Sequence, residues 1–127
     1  MPTILLIGTL DTKGAEYAFV RERLRAEGCD VLLMDGSARG TPLTMPDIPR
    51  QRVAAAANAD LDALAASTDR NANTDIMARG AAKLALELHQ AGKLHGILGM
   101  GGSGGSVLAS HVMRALPIGV PKLLVST

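Results

Sequence analysis

At 127 residues the chain suits one domain with one core, large enough to bury roughly two thirds of its unfolded surface. With 47% hydrophobic but only 2% aromatic residues, the core must be built of Leu, Val, Ile, Ala and Met, which suits helices packed on a parallel sheet. Thirteen basic against twelve acidic residues leave a net charge of +1 with no basic run, and a single Tyr and a single Phe offer no stacking platform for bases, so nucleic acid is excluded as the main partner.

Thr3 to Gly8 is a short apolar run ending in glycine, which predicts a buried strand. The opening segment lacks a basic stretch and its apolar run is short, so it predicts neither a signal peptide nor a spanning helix; no membrane partner and a cytoplasmic protein are expected. A helix follows, with Tyr17, Val20 and Leu24 on its apolar face and Gly28 as its stop. Cys29 cannot form an internal disulfide, agrees with a reducing compartment, and reads as a small buried hydrophobe. Val31 to Met34 is the second strand, ending in Asp35-Gly36, and strand, helix, strand in this span make one right-handed βαβ unit.

Gly36 to Pro49 contains three prolines and two glycines and reads as a loop, long enough to be a lid or an interface. Arg50 to Ala66 predicts a helix, Ser67 to Ala72 a polar break, and Asn73 to Ala91 a second helix with Met77, Ala81, Leu84 and Leu88 on one face. Leu94 to Met100 gives the third strand. Val107, Leu108, Val112 and Leu116 mark the next helix, which Pro117 terminates, and Pro121 to Thr127 is a fourth strand. The expected fold is a Rossmann-like α/β sheet, doubly wound and parallel, with four strands in the order 2-1-3-4. Because the chain stops at the carboxyl end of a strand, where such sheets make ligand contacts, residues 1–127 read as the N-terminal part of a larger nucleotide-binding domain.

Between the third strand and its helix, five glycines fall within the seven residues Gly99 to Gly105. Such a loop lets backbone N–H groups approach an anion closely, and Gly101, Gly102, Ser103, Gly104, Gly105 and Ser106 are the expected phosphate cradle. The spacing Gly99-x-Gly101-x-x-Gly104 matches a dinucleotide fingerprint, yet the acid expected about 20 residues on is replaced by Ser126 and Thr127. A P-loop fails as well, since Gly105 stands where its lysine would. A tight turn that needs glycine only for packing is the competing structural explanation.

In the order 2-1-3-4 the first and third strands are neighbours whose crossovers leave to opposite faces, so the loop Gly8 to Gly14 lines the same crevice. Asp11 is placed to cap the helix, which leaves the phosphates to the glycine loop. Lys13 is their expected charge partner, with Asp11 holding Lys13, a hydroxyl or a bound magnesium. Asp35 stands where a ribose-binding carboxylate belongs, although Asp-Gly also simply makes turns; both readings stay open. His89, His95 and His111 share no ligand spacing, and no metal site is expected from them. No catalytic constellation assembles, so binding is better supported than turnover.

Gly8-Thr-Leu-Asp-Thr-Lys-Gly14, Gly101-Gly-Ser-Gly-Gly-Ser106 and Met113 to Thr127 together resemble the uncharacterised ATP-binding family typified by the tomato mosaic virus resistance protein. The resemblance spans essentially the whole chain. It implies ATP as ligand, a tendency to homo-oligomers, and a protein roughly three times longer in which a second α/β domain follows. Thr9, Asp11, Thr12 and Lys13 match its first motif, Gly102, Ser103, Gly104, Gly105 and Ser106 its second, and Ser126 and Thr127 the end of its third. Two other functions compete with nucleotide binding: a protein-interaction or inhibitory module, and an enzyme domain acting on a phosphorylated or acidic metabolite.

Overall fold

The short apolar runs become one parallel sheet. The computed structural model describes residues 1–127, in the order β1 (Thr3–Gly8), α1 (Leu10–Ala26), β2 (Asp30–Asp35), α2 (Arg50–Ala56), α3 (Leu61–Ala66), α4 (Arg70–Gln90), β3 (Gly96–Gly101), α5 (Ser103–Ala115) and β4 (Lys122–Ser126). The strands lie β2-β1-β3-β4 and every neighbouring pair is parallel, as the Rossmann-like expectation requires.

Alternation along β1 explains the two layers. Successive side chains of a strand point to opposite faces, so Leu5 and Ile7 join one core while Leu6 joins the other. The larger core collects Val53, Leu64, Met77, Ala81, Leu108 and Val112 from α2 to α5. On the other face α1 alone covers the sheet, with Tyr17 buried and Val20 and Leu24 packed beside Leu33. Each fully buried aliphatic side chain contributes roughly 1.5–3 kcal/mol, so packing on the sheet rather than helix propensity decides where these helices lie.

Two helix boundaries differ from the sequence expectation. The segment Arg50 to Ala66 is two helices, because Asn58 takes a left-handed conformation (φ 55°) and Asp60 then caps a new start, its carboxylate accepting the Asp62 N–H at 3.0 Å. Likewise α4 begins at Arg70, three residues before the expected start. There the Asp69 carboxylate accepts the Ala72 N–H at 3.1 Å, which converts the supposed polar break into a first turn.

The loop 36–49 is pinned rather than free. It returns along the outer edge of β2, where Asp47 and Ile48 N–H groups donate to the Leu33 carbonyl (2.9 and 3.0 Å) and the Asp35 N–H donates to the Ile48 carbonyl (3.0 Å). Arg21 of α1 holds its middle, donating to the Met45 carbonyl at 3.1 Å and the Thr44 hydroxyl at 3.0 Å. The β2 edge is thereby covered by its own connection. On the opposite edge, Leu123, Leu124 and Val125 of β4 are exposed. No helix is long and apolar enough to cross a membrane.

Candidate functional site

A cavity of about 440 Å³ opens at the carboxyl ends of β1, β2 and β3, the end of an open α/β sheet at which ligands bind. Its walls are Thr9, Asp11, Thr12 and Lys13 after β1, Gly36, Ser37, Ala38 and Arg39 after β2, Arg70, Asn73 and Thr74 of α4, and Gly102, Gly104, Gly105 and Leu108 around the start of α5. The two loops expected to share a crevice, about 90 residues apart, do meet there.

At α5 the backbone leaves donors open. Gly102 is the N-cap and supplies no side-chain cap, and the first amide of the helix with an acceptor is that of Ser106, which donates to the Gly102 carbonyl at 2.8 Å. The N–H groups of Ser103, Gly104 and Gly105 have no protein acceptor. No acidic residue stands in this first turn, so the positive end of the helix dipole is uncompensated. Ser103 and Gly104 are exposed and Gly105 is buried; Gly104 and Gly105 line the cavity, whereas Ser103, expected in the cradle, lies just outside its lining.

The other residues of that motif serve a different purpose. Ser106 Oγ lies 3.1 Å from both the Gly101 carbonyl and Ser126 Oγ, and the Thr127 N–H donates to the same carbonyl at 2.9 Å. Gly101, Ser106, Ser126 and Thr127 therefore tie the start of α5 to β4, and none of the four lines the cavity.

At α1 the expected cap is corrected. Thr9, not Asp11, is the N-cap, and Asp11 lies inside the first turn, where its carboxylate bonds no helix amide. The Leu10 N–H is instead taken by Asp35 Oδ1, at 3.3 Å, reaching across from the end of β2. The same oxygen accepts the Ser37 N–H at 3.0 Å and the Ser37 hydroxyl. Asp35 is only 1% exposed, with Oδ2 buried and unpartnered, and it lies outside the cavity lining; its bonds join the start of α1 to the end of β2 at the carboxyl end of the sheet.

The lining is electropositive. Lys13, Arg39 and Arg70 face one carboxylate, Asp11, and none of the four is in a salt bridge. Arg39 donates to the Ser67 carbonyl, which leans it toward the start of α4. Lys13 breaks the helical path of α1 (φ −117°, ψ 18°). Cations and free amides around one cavity are the chemistry that attracts an anion. No group of three or more His, Cys, Asp or Glu side chains is arranged to hold a metal ion; His95 Nδ1 accepts the Thr3 N–H at 2.9 Å.

Arg39, Arg70, Asn73 and Thr74 were not singled out by sequence reasoning. Asp69 carried the missing signal: reading it as an N-cap puts Arg70 in the first turn of a long helix aimed at the strand ends. Behind the cavity, Tyr17 is fully buried, and burial pushes its phenol up to about 12, partly offset by its hydrogen bond with the Met100 backbone.

The sequence matches the family described as Uncharacterised protein family (UPF0261) N-terminal domain over residues 2–127. A UPF0261 protein of Clostridium tetani is 36% identical over 124 residues, covering 98% of this chain and 31% of the relative. One from Brucella suis is 38% identical over 126 residues, covering 99% and 30%. The ToMV susceptible protein tm-1(GCR26) of Solanum lycopersicum is 34% identical over 144 residues, covering 99% and 19%. The chain thus spans about a third of the length of the bacterial relatives it matches.

Proposed function

The chain belongs to the UPF0261 family, and on that premise we propose that it binds a nucleoside triphosphate, ATP, with the phosphates on the amides of Ser103, Gly104 and Gly105. One observation carries the reading: Gly104 and Gly105, whose amides have no acceptor, line a cavity that also presents Lys13, Arg39 and Arg70, with the equally free amide of Ser103 beside them at the same helix end. Hydrogen bonds to a charged group contribute about 1.5–3 kcal/mol each, so three amount to about 4.5–9 kcal/mol, the span of millimolar to sub-micromolar dissociation constants. Asp11 fits a magnesium ion accompanying the phosphates, since it lines the cavity unpaired and Mg²⁺ is commonly bound by one or two carboxylates plus phosphate oxygens and water. Residence in the cytoplasm and assembly into homo-oligomers belong to the same proposal.

Calorimetric titration with ATP and magnesium, inorganic tripolyphosphate and a sugar phosphate tests it. Binding of ATP and tripolyphosphate at sub-millimolar concentration supports the nucleotide reading. A sugar phosphate that binds while ATP does not would transfer the same cradle to a phosphorylated metabolite, and heat from none of the three would sink the proposal.

A further inference from the structure

We infer that Tyr17 is a positioning residue for this cavity: its hydroxyl stands where the next rung between β1 and β3 would form, and so sets the spacing of the two loops. The inference rests on the anion site proposed above. Pairing between β1 and β3 runs from Ile4 with Gly96 to Ile7 with Gly99 and ends there. Yet β1 continues against β2 to Gly8 with Asp35, and β3 continues against β4 to Gly101 with Ser126. The two central strands part before either of them ends, and the cavity opens beyond the fork.

Tyr17 fills that fork from α1. Its Oη accepts the Met100 N–H at 2.7 Å, donates to the Ile7 carbonyl, and lies 3.0 Å from the Met100 carbonyl. A phenol has one proton and acceptor lone pairs, so this single group satisfies the donor on β3 and a carbonyl at the fork. Without it, buried backbone groups would lack partners, and the strands would close or the loops would shift to satisfy them. Position 8 is matched to this arrangement: a Cβ on Gly8 would overlap Cε2, Cζ and Oη of the ring. Gly8 leads directly into Thr9, and Met100 leads into Gly101 and Gly102. Tyr17 itself is not in the cavity lining, so it acts through those loops.

Tyr17 is the only tyrosine in the sequence, so biosynthetic incorporation of 3-fluorotyrosine labels this position alone. Titrating the labelled 127-residue chain with tripolyphosphate should move its fluorine resonance with the half-saturation that calorimetry gives. Tyr17→Phe should weaken tripolyphosphate binding roughly tenfold or more, the loss of about one hydrogen bond. Without ligand it should also speed amide exchange at Met100 and at Ser106, whose acceptor is Gly102. Leu24→Ala, a loss from the same apolar cluster, should leave the affinity within roughly threefold, since packing at distant independent sites adds little to binding.

Wild-type affinity in Tyr17→Phe, an equal loss in Leu24→Ala, or a fluorine resonance that stays fixed while calorimetry records binding would overturn the inference. If the unaltered chain takes up no tripolyphosphate, the anion site has failed; the exchange comparison then decides separately, and unchanged Ser106 exchange would refute the positioning role. If Tyr17→Phe does not fold, the fluorotyrosine titration decides.

Discussion

Replacing Gly104 by Asp should make the protein more stable and a poorer binder. A Cβ at Gly104 meets nothing within 4 Å, and its backbone is not in the left-handed region, so the substitution is sterically free. Asp exceeds Gly in helix propensity by only about 0.3 kcal/mol, and an acidic side chain in an uncompensated first turn adds about 0.3–1 kcal/mol. Binding moves the other way. A carboxylate about 4 Å from a phosphate, at an effective permittivity of about 20–40, opposes it by about 2–4 kcal/mol, or roughly 30- to 1,000-fold in affinity. Urea denaturation and calorimetry of the same sample read both quantities. If Gly104→Asp bound ATP as tightly as the parent chain while gaining stability, the anion would not sit at this helix end. A loss of stability would mean that the amides there are already compensated.

Gly80→Ala should destabilise by about 1–3 kcal/mol despite better helix propensity, because its Cβ would overlap the Val53 carbonyl oxygen where α4 crosses α2; a raised urea midpoint would contradict this. Asp35→Ala strips the acceptor from the Leu10 and Ser37 N–H groups and should cost about 2–4 kcal/mol in the same assay, against no change if those amides find water. Tyr17 makes stability fall with rising pH. Its native value of about 12 lies above the ordinary 10.0, so the unfolded chain loses this proton first. The contribution is complete below pH 10 and lost between about 10 and 12, amounting to about 3 kcal/mol. Near-ultraviolet absorbance of the single tyrosine follows it, and native and denatured samples that titrate together would refute it.

Strand positions were legible because a parallel sheet writes itself as apolar runs: Thr3–Gly8 is found where expected, and the other three strands shift by a residue or two. The shared crevice followed from topology alone. What escaped was local capping chemistry. An alanine-rich run reads as one helix until Asn58 and Asp60 are recognised as a stop followed by a start, and Asp69 does the same for α4. Missing that cap concealed Arg70, and with it part of the positive wall. Asp11 looked like a cap because the strand's end at Gly8 was close, but the chain enters its helix at Leu10, and a carboxylate 25 residues away takes that amide. No spacing rule within one loop reveals such a partner.

The claim on which the rest depends is that the amides of Ser103, Gly104 and Gly105 are free to receive an anion. A ¹⁵N-labelled sample titrated with ATP, followed amide by amide, tests it directly. Those three resonances should shift furthest and saturate together, with Lys13, Arg39 and Arg70 side-chain signals following. Shifts confined elsewhere, with these three unmoved at saturation, would contradict the account.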